Sequence, residues 1–443
     1  MFNVAILAPV LQTLFTTKAD ELAKAHGFIR RVRRFAGGDF LSALTFGYLK
    51  RKNAPLEDLA APLGISRQAL DKRFTPACLR FCKAALLDAL NSALEPRREV
   101  FHLLRHFKGV FLDDCTQAWL PDEAADGDDG FKGCGGSDPD SSKARVKILA
   151  RWEIQSGRIH HLGFHSGRTS DHVALEQAPE PPKGSLHVAD LGFADFDRMQ
   201  AESEQGIYFI SRLPAQTRAC LPEEKEEPLW QQLGRWRAEG LVQVDTPAEV
   251  GDKSKAAGRL VVMLCPQEVA SRRIQKSQEE AKRRGRQMSK RQREMCHWTV
   301  LFTNVPLEWL GAEELWQVYR LRWQVELLFK RFKSEGGLGD TRSQKKDRVL
   351  SEWYLKLLAQ VVGNWLRLLH TGPLRELNAV QVGRVISDAA RDIRRALKSL
   401  GRLSEALTEL LQELGRIRPR TRRKTRLTAA QHLKQHEPTA KLT

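Results

Sequence analysis

Hydrophobic positions follow a helical spacing near both ends of the chain and a strand-like spacing between them. Residues 7–107 are dominated by helix-forming side chains. From residue 108 to residue 212, short apolar runs and alternating apolar and polar positions indicate strands. Two more strand-like runs lie at 241–244 and 259–264, and helices are predicted at 350–369, 380–397 and 403–414. This order predicts an α/β protein with helical N-terminal and C-terminal regions.

Two of the predicted strands end in carboxylates. The apolar run 108–116 ends in Asp113 and Asp114, and the run 184–193 contains Asp190 near its end. Between them, two alternating strands are predicted to form a hairpin that turns at Ser156-Gly157. An aspartate at a strand end is often only a turn residue, so each of these is weak evidence alone.

The stretch Ala312–Glu335 contains no glycine or proline and predicts one continuous helix. At about 100° per residue, one apolar arc gathers Val318, Leu321, Val325, Leu328, Phe329 and Phe332. A second apolar arc comprises Trp316, Trp323 and Leu327. Between the arcs lies a polar stripe of Tyr319, Arg322, Glu326 and Lys333, while Gln317, Arg320, Gln324 and Arg331 fill the solvent side. The stripe is either an interior ion pair between Arg322 and Glu326 or a functional site.

Two strand-end aspartates and a helical glutamate form the ligand set that divalent-metal phosphoryl transfer needs. In that chemistry carboxylates bridge two Mg²⁺ ions, which activate the attacking oxygen and stabilise the leaving oxygen. The sequence thus predicts a metal site in which carboxylates from distant parts of the chain meet.

The formal charge of +18 points to a polyanionic partner, most simply nucleic acid, with a membrane surface as the lesser alternative. No run approaches the 18 or more apolar residues of a membrane span. Seven cysteines at irregular spacing indicate a reducing compartment. Cys78 and Cys82 lack a second Cys/His pair of matching spacing, which disfavours a zinc site. We expect a cytoplasmic protein.

Residues 56–74 have a helix-turn-helix rhythm, with Gly64 at the turn and Ser66 as the N-cap of the second helix. That helix would present Arg67, Gln68, Lys72 and Arg73 to DNA phosphates and base edges. The alternative is a plain helical hairpin with a basic surface. The arginines of 30–34 would supply further phosphate contacts.

The spacing of Tyr319, Arg322, Glu326 and Lys333 resembles the Tyr-Arg-Glu-Lys signature of DDE insertion-sequence transposases, which include the Tn-five-like cut-and-paste enzymes. Asp114-Cys-Thr116 is similar to the first-aspartate motif of that group, and Ala189-Asp190-Leu-Gly-Phe193 is similar to its second. Asp113 is an alternative first ligand, although the Asp-X-Thr pattern favours Asp114.

The resemblance implies a ribonuclease-H-like catalytic core interrupted by a β-rich insertion. It implies Asp114, Asp190 and Glu326 as the catalytic triad holding two Mg²⁺ ions, with Mn²⁺ as a substitute. Tyr319, Arg322 and Lys333, together with Lys330, would contact DNA phosphates. Trp298 would stack on an extruded base, unless it is a core residue.

The corresponding activity is binding, cleavage and joining of the inverted-repeat ends of an insertion sequence to target DNA. A bacterial, nucleoid-associated protein and a homodimer on paired ends are expected with it. A structure-specific nuclease of the same fold and a non-catalytic DNA-binding descendant are the alternatives.

The predicted domains follow from these elements. They are a helical DNA-binding region at 1–100, the core at 101–213 and 297–372, the insertion at 214–296 and a helical region with a basic tail at 373–443. Within the insertion, the dense basic segment 270–295 is expected to follow the DNA backbone. The same holds for the tail segment 416–424.

Overall fold

A computed structural model describes residues 3–92, 94, 96–126, 130–133, 143–340, 343–370, 372, 377–418 and 431–433. Parts of the predicted loop 122–142 and of the basic tail 416–424 lie outside these residues. The chain divides into two compact units. Unit 1 comprises Met1–Glu99, Cys115–Thr169 and Gln324–Ala430, and unit 2 comprises Val100–Asp114, Ser170–Trp323 and Gln431–Thr443.

Helices occupy both ends of the described chain, and the strands lie between them, interspersed with further helices. The strands are β1 (Val110–Leu120), β2 (Ala144–Glu153), β3 (Ile159–Ser166), β4 (Leu186–Val188), β5 (Tyr208–Ser211), β6 (Arg218–Cys220), β7 (Glu227–Pro228), β8 (Gln243–Gly251), β9 (Lys255–Leu264) and β10 (Trp298–Thr303). The helices are α1 (Val4–Thr13), α2 (Ala19–Ala25), α3 (Gly37–Lys50), α4 (Leu56–Ala60), α5 (Arg67–Asp71), α6 (Pro76–Leu90), α7 (Asp171–Glu176), α8 (Phe196–Glu204), α9 (Leu229–Ala238), α10 (Gln267–Arg283), α11 (Lys290–His297), α12 (Ala312–Tyr319), α13 (Trp323–Ser334), α14 (Lys346–Arg367), α15 (Ala379–Ala396) and α16 (Leu400–Gly415). This is a mixed α/β protein, as the sequence predicts.

Unit 2 is built on a sheet with the strand order β1-β4-β5-β10-β9-β8-β6-β7. β1, β4 and β5 run parallel, whereas β10 pairs antiparallel with both β5 and β9. The first three strands read as short apolar runs because strands of a parallel sheet are buried on both faces. The strands of the predicted insertion, β8 and β9, continue this sheet through β10. A core that includes Phe209, Leu260, Trp298 and Phe302 covers it.

Unit 1 combines a hairpin with helices from both ends of the chain. β2 and β3 pair antiparallel around Gly157, which has φ of +78° and therefore supports the predicted turn. Asn364 on α14 donates a hydrogen bond to the Gly157 carbonyl at 2.9 Å. α14 packs against α3 and α6, and most of its residues are buried. An all-round buried helix explains why its sequence is apolar over so long a stretch.

Several elements escaped prediction. β6, β7 and α9 lie within the predicted insertion, and they are short or polar enough to hide a periodic pattern. No helix among the described residues is long and apolar enough to cross a membrane. The predicted domain boundaries remain predictions.

Candidate active site beside two parallel strands

The pairing of β1 with β4 fixes where the predicted aspartates lie in unit 2. Leu112 is opposite Val188 in the parallel register. Two residues beyond this pair, Asp114 and Asp190 occupy equivalent positions on the two strand paths. Because side chains alternate along a strand, both belong to the face of the ladder that Leu112 and Val188 share. β1 itself continues to Leu120, so Asp114 lies inside that strand and not at its end as predicted, whereas Asp190 lies two residues beyond the end of β4. The parallel register thus gives the two carboxylates equivalent positions, just past the paired part of the two strands.

Asp113 belongs to the opposite face and is fully buried. Its Oδ2 atom lies 2.8 Å from Nε2 of His187, which is itself buried. The other ring nitrogen, Nδ1, lies 2.7 Å from Oε1 of Glu202 on α8. Arg198 donates from Nε to that same oxygen at 2.9 Å. Asp113, His187, Glu202 and Arg198 thus form a linear series of charged contacts inside unit 2.

The electrostatics of this series favour the charged form of each partner. Burial alone would lower the pKa of His187, but Glu202 and Asp113 outweigh it and raise the pKa. Burial alone would raise the pKa of Glu202, but His187 and Arg198 outweigh it and lower the pKa. The imidazolium is therefore held between two carboxylates, which makes Asp113 a structural group.

Asp190 has a different environment, since its side chain is 37% exposed. The Tyr319 hydroxyl donates to its Oδ1 atom at 3.1 Å, and Nη1 of Arg322 lies 3.7 Å from Oδ2. Tyr319 is buried, and burial together with the Asp190 charge raises the pKa of its hydroxyl. The phenol therefore stays protonated and remains a donor. Two of the predicted phosphate-binding residues thus meet one predicted metal ligand in unit 2.

The stretch 312–335 is not one continuous helix, which corrects the prediction. α12 ends at Tyr319, a 3₁₀ turn occupies Arg320–Arg322, and α13 begins at Trp323. The tighter turn changes the angular phase between the two helices, so positions on either side do not lie on one regular helical face.

The apolar arc predicted for this stretch is confirmed, because all six of its residues are buried. The prediction that the second apolar arc is buried is wrong. Trp323 is 49% exposed and Leu327 is 38% exposed. Trp323 and Leu327 therefore leave one side of α13 in contact with solvent.

The remaining residues of the signature lie on α13, in the part that belongs to unit 1. Glu326 is half-buried, whereas Lys330 and Lys333 are exposed. Among the described residues, no three His, Cys, Asp or Glu side chains form a group that could hold a metal ion. The assignment of Asp114, Asp190 and Glu326 as one metal triad therefore remains a prediction.

Trp298 opens β10 and has no exposed surface. Its indole Nε1 donates to Glu294 at 3.3 Å, and its ring belongs to the core of unit 2. A nucleic-acid base could not reach this ring without opening that core. The structure therefore favours the core alternative that the sequence left open.

The helix-turn-helix segment forms as two very short helices, α4 and α5, in unit 1. Gly64 has φ of +64°, and the Ser66 side chain accepts from the Ala69 N–H at 3.2 Å, as the predicted turn and N-cap require. Pro62 lies in a 3₁₀ turn between them. All four predicted contact residues, Arg67, Gln68, Lys72 and Arg73, are exposed.

The sequence reasoning missed His187 and Glu202. A signal for His187 was present, because it interrupts an apolar strand on the same strand parity as Asp113 in the parallel register. Glu202 had no comparable signal, since one glutamate among the polar residues of α8 looks like a solvated side chain.

Comparison with known proteins points in the same direction as this geometry. Residues 115–362 match the family model described as "Transposase DDE domain". The match contains Asp190 and Glu326 and begins one residue after Asp114.

Similar proteins include the transposase for insertion sequence element IS231F of Bacillus thuringiensis subsp. israelensis, which is 25% identical over 92% of this chain and 90% of its own length. The transposase for insertion sequence element IS1151 of Clostridium perfringens is 24% identical over 78% of this chain and 76% of its own length. Since the family model covers more than half of the sequence, the chain belongs to the DDE-domain transposase family.

Proposed function

We propose that this protein is a DNA transposase that cleaves the ends of an insertion sequence and joins them to target DNA. The observation that carries the proposal is the equivalent placement of Asp114 and Asp190, each two residues beyond the Leu112–Val188 pair of the parallel strands β1 and β4. The names of the similar proteins support the same activity, since they are transposases of insertion sequences.

The proposed ligands of two Mg²⁺ ions are Asp114, Asp190 and Glu326. Their donor chemistry fits this metal, because Mg²⁺ prefers hard carboxylate oxygens and Mn²⁺ accepts the same set. What divalent ions supply at such a site is activation of the attacking oxygen and stabilisation of the leaving oxygen. Asp113 is not a competing ligand in this proposal, because His187 already binds its carboxylate on the other face of the ladder.

Tyr319 and Arg322 are proposed to bind a DNA phosphate beside Asp190. At 3.7 Å, the contact of Arg322 with Asp190 is an ion pair without a close hydrogen bond. Its planar guanidinium can present two donors to a phosphate. Lys330 and Lys333 are exposed on α13 and would contribute further phosphate contacts.

We propose that the exposed side of α5 and the basic helix α10 each bind DNA. Ala270 is the one buried residue of α10, so its many basic side chains face solvent at least in part. Such a surface supplies sequence-independent attraction to the phosphate backbone. We further propose a ribonuclease-H-like core with an inserted β-rich region, and a homodimer on paired ends.

Cleavage of a labelled duplex that carries the inverted repeat flanking the gene tests the proposal. In the presence of Mg²⁺ or Mn²⁺, the wild-type protein is expected to nick the end and to produce joined strands. Asp114→Asn and Glu326→Gln should abolish both products.

Asp113→Asn is the matched control, because it changes the neighbouring carboxylate without touching the proposed site. It should lower stability yet leave cleavage by the folded protein intact. Nicks without joined products would favour the nuclease alternative. Wild-type rates in both Asp114→Asn and Glu326→Gln would overturn the catalytic assignment.

A further inference from the structure

Unit 1 contains a cavity that lies apart from the residues of the proposed active site. Its volume is about 440 Å³, and it is enclosed by the C-terminal end of α3 and by faces of α13, α14 and α15. Leu328 and Phe332 of α13 form part of its apolar wall. The cavity is open to solvent at one side, where Val380 is 73% exposed.

The charged side chains around this cavity are mostly of one sign. Five are basic, namely Lys50, Lys52, Arg331, Arg367 and Arg384. Glu335 is the one acidic side chain of the lining. Residues from distant parts of the sequence thus place several cations around one concave surface. A cleft lined by charges of one sign concentrates the electrostatic potential and attracts ions of the opposite sign.

Ion pairs account for only part of this positive charge. Glu335 lies 3.5 Å from Nη2 of Arg367, and Lys52 lies 3.8 Å from Asp340. Within the ranges that the structure describes, no carboxylate oxygen comes within 4 Å of Arg331 or Arg384. The same holds for Lys50 within those ranges.

Burial lowers the pKa of two arginines of this lining. Burial, together with the neighbouring Arg367, lowers the pKa of Arg331 to about 9. Burial also lowers the pKa of Arg367, in spite of Glu335. An anion beside Arg331 and Arg367 would offset the effect of burial, since its negative charge favours the protonated guanidinium.

We propose that this cavity binds a phosphate group. Guanidinium groups from α13, α14 and α15 can surround a phosphate with paired donors, which a single-point anion such as chloride would use poorly. The volume leaves room for a sugar attached to the phosphate. The ligand is therefore either a phosphate of a DNA strand or that of a free nucleotide, and one measurement separates the two.

Isothermal titration of the full-length protein with inorganic phosphate and with AMP tests the site, in chloride buffer at constant ionic strength. The informative variant is Arg384→Gln, because Arg384 is exposed and its loss does not disturb the core. Loss of one charge-assisted contact should weaken phosphate binding about tenfold. Arg391→Gln, on the same helix and outside the cavity lining, is the matched control and should bind as the wild type does.

Arg331 supplies a second, independent variant pair. Arg331→Gln should lose phosphate binding, and Arg331→Lys should retain part of it because the charge remains. Competition by a short DNA duplex, with a loss of competition in Arg384→Gln, would identify DNA as the source of the phosphate. Binding of AMP that DNA does not displace would identify a free nucleotide.

Equal phosphate affinities for the wild type, Arg384→Gln and Arg391→Gln would overturn the proposal, as would the absence of binding in the wild type. The catalytic proposal fails separately. Glu326→Gln should leave phosphate binding in this cavity unchanged whether or not it abolishes cleavage.

Discussion

The two faces of the β1–β4 ladder carry carboxylates in opposite circumstances. On one face, Asp113 is sealed in the core, and His187 connects it to Glu202 through contacts of 2.8 and 2.7 Å. His187 lies between two carboxylates, and Glu202 lies between His187 and Arg198. Such a network is costly to form and costly to break, which suits a structural role.

On the other face, Asp190 keeps more than a third of its side chain in solvent. Its partners are a phenol at 3.1 Å and a guanidinium at 3.7 Å, neither of which satisfies the carboxylate as closely as an imidazolium does for Asp113. A carboxylate with free coordination capacity can take a metal ion, whereas one that is closed by buried partners cannot. Asp113 and Asp190 are therefore distinguished by how completely their partners enclose them, which a sequence motif alone does not show.

The largest expected effect comes from the open face. Asp190→Asn should lower end cleavage by about a thousandfold, since loss of a metal-binding charge removes several kcal/mol of transition-state stabilisation. Its stability should change little because the side chain is partly exposed. The measurement is single-turnover cleavage of labelled end DNA, with Asp197→Asn, an exposed acid of α8, as control. Cleavage by Asp190→Asn within tenfold of the control would contradict the comparison.

On the face that carries Asp113, a substitution should lower the stability of the protein. His187→Ala leaves Asp113 and Glu202 buried without their shared cation and should lower the free energy of unfolding by about 3–5 kcal/mol. Denaturant unfolding at pH 6 measures this loss. His172→Ala, on α7 and hydrogen-bonded only to Ser170, should change the free energy by less than about 0.5 kcal/mol. Equal losses of unfolding free energy in His187→Ala and His172→Ala would show that the buried charged contacts do not stabilise the fold.

The same network predicts how stability depends on pH. The pKa of His187 is raised in the folded protein, so its contribution is fully present below the unfolded value of about 6.5 and is lost as pH rises through the folded value. The pKa of Glu202 is lowered, so its contribution is present above its unfolded value and is lost as pH falls through the folded value. The difference in unfolding free energy between the wild type and His187→Gln should therefore be largest near pH 5–6. A difference that is constant from pH 4 to pH 9 would argue against a charged His187.

The contrast between the faces also shows how far the sequence could be read. The apolar runs that precede Asp113 and Asp190 were predictable as strands, because buried parallel strands leave continuous apolar runs. The apolar arc of the signature helices was equally predictable from its period. The 3₁₀ turn at Arg320–Arg322 was not, since its residues are ordinary helix formers and the break arises from tertiary packing.

The sequence could not predict which of the carboxylates is enclosed by buried partners. Whether Asp113 or Asp114 faces the buried histidine depends on strand register, and register is set by contacts between segments more than 70 residues apart. The exposure of Trp323 and Leu327 was not predictable either, because an apolar residue type shows only that a side chain can be buried.

The smallest effect belongs to the hydrogen bond that orients the open carboxylate. Tyr319→Phe removes the donor to Asp190 and should cost about 0.5–1.5 kcal/mol, whether measured as stability or as cleavage rate. Because the pKa of the Tyr319 hydroxyl is raised, this cost should be the same at pH 6 and pH 9. Tyr208→Phe is the matched control, since Tyr208 makes a ring contact with Trp309 in the same unit. If Tyr319→Phe reduces cleavage as strongly as Asp190→Asn does, the hydroxyl contributes mainly through its proposed contact with a DNA phosphate and not through the orientation of Asp190.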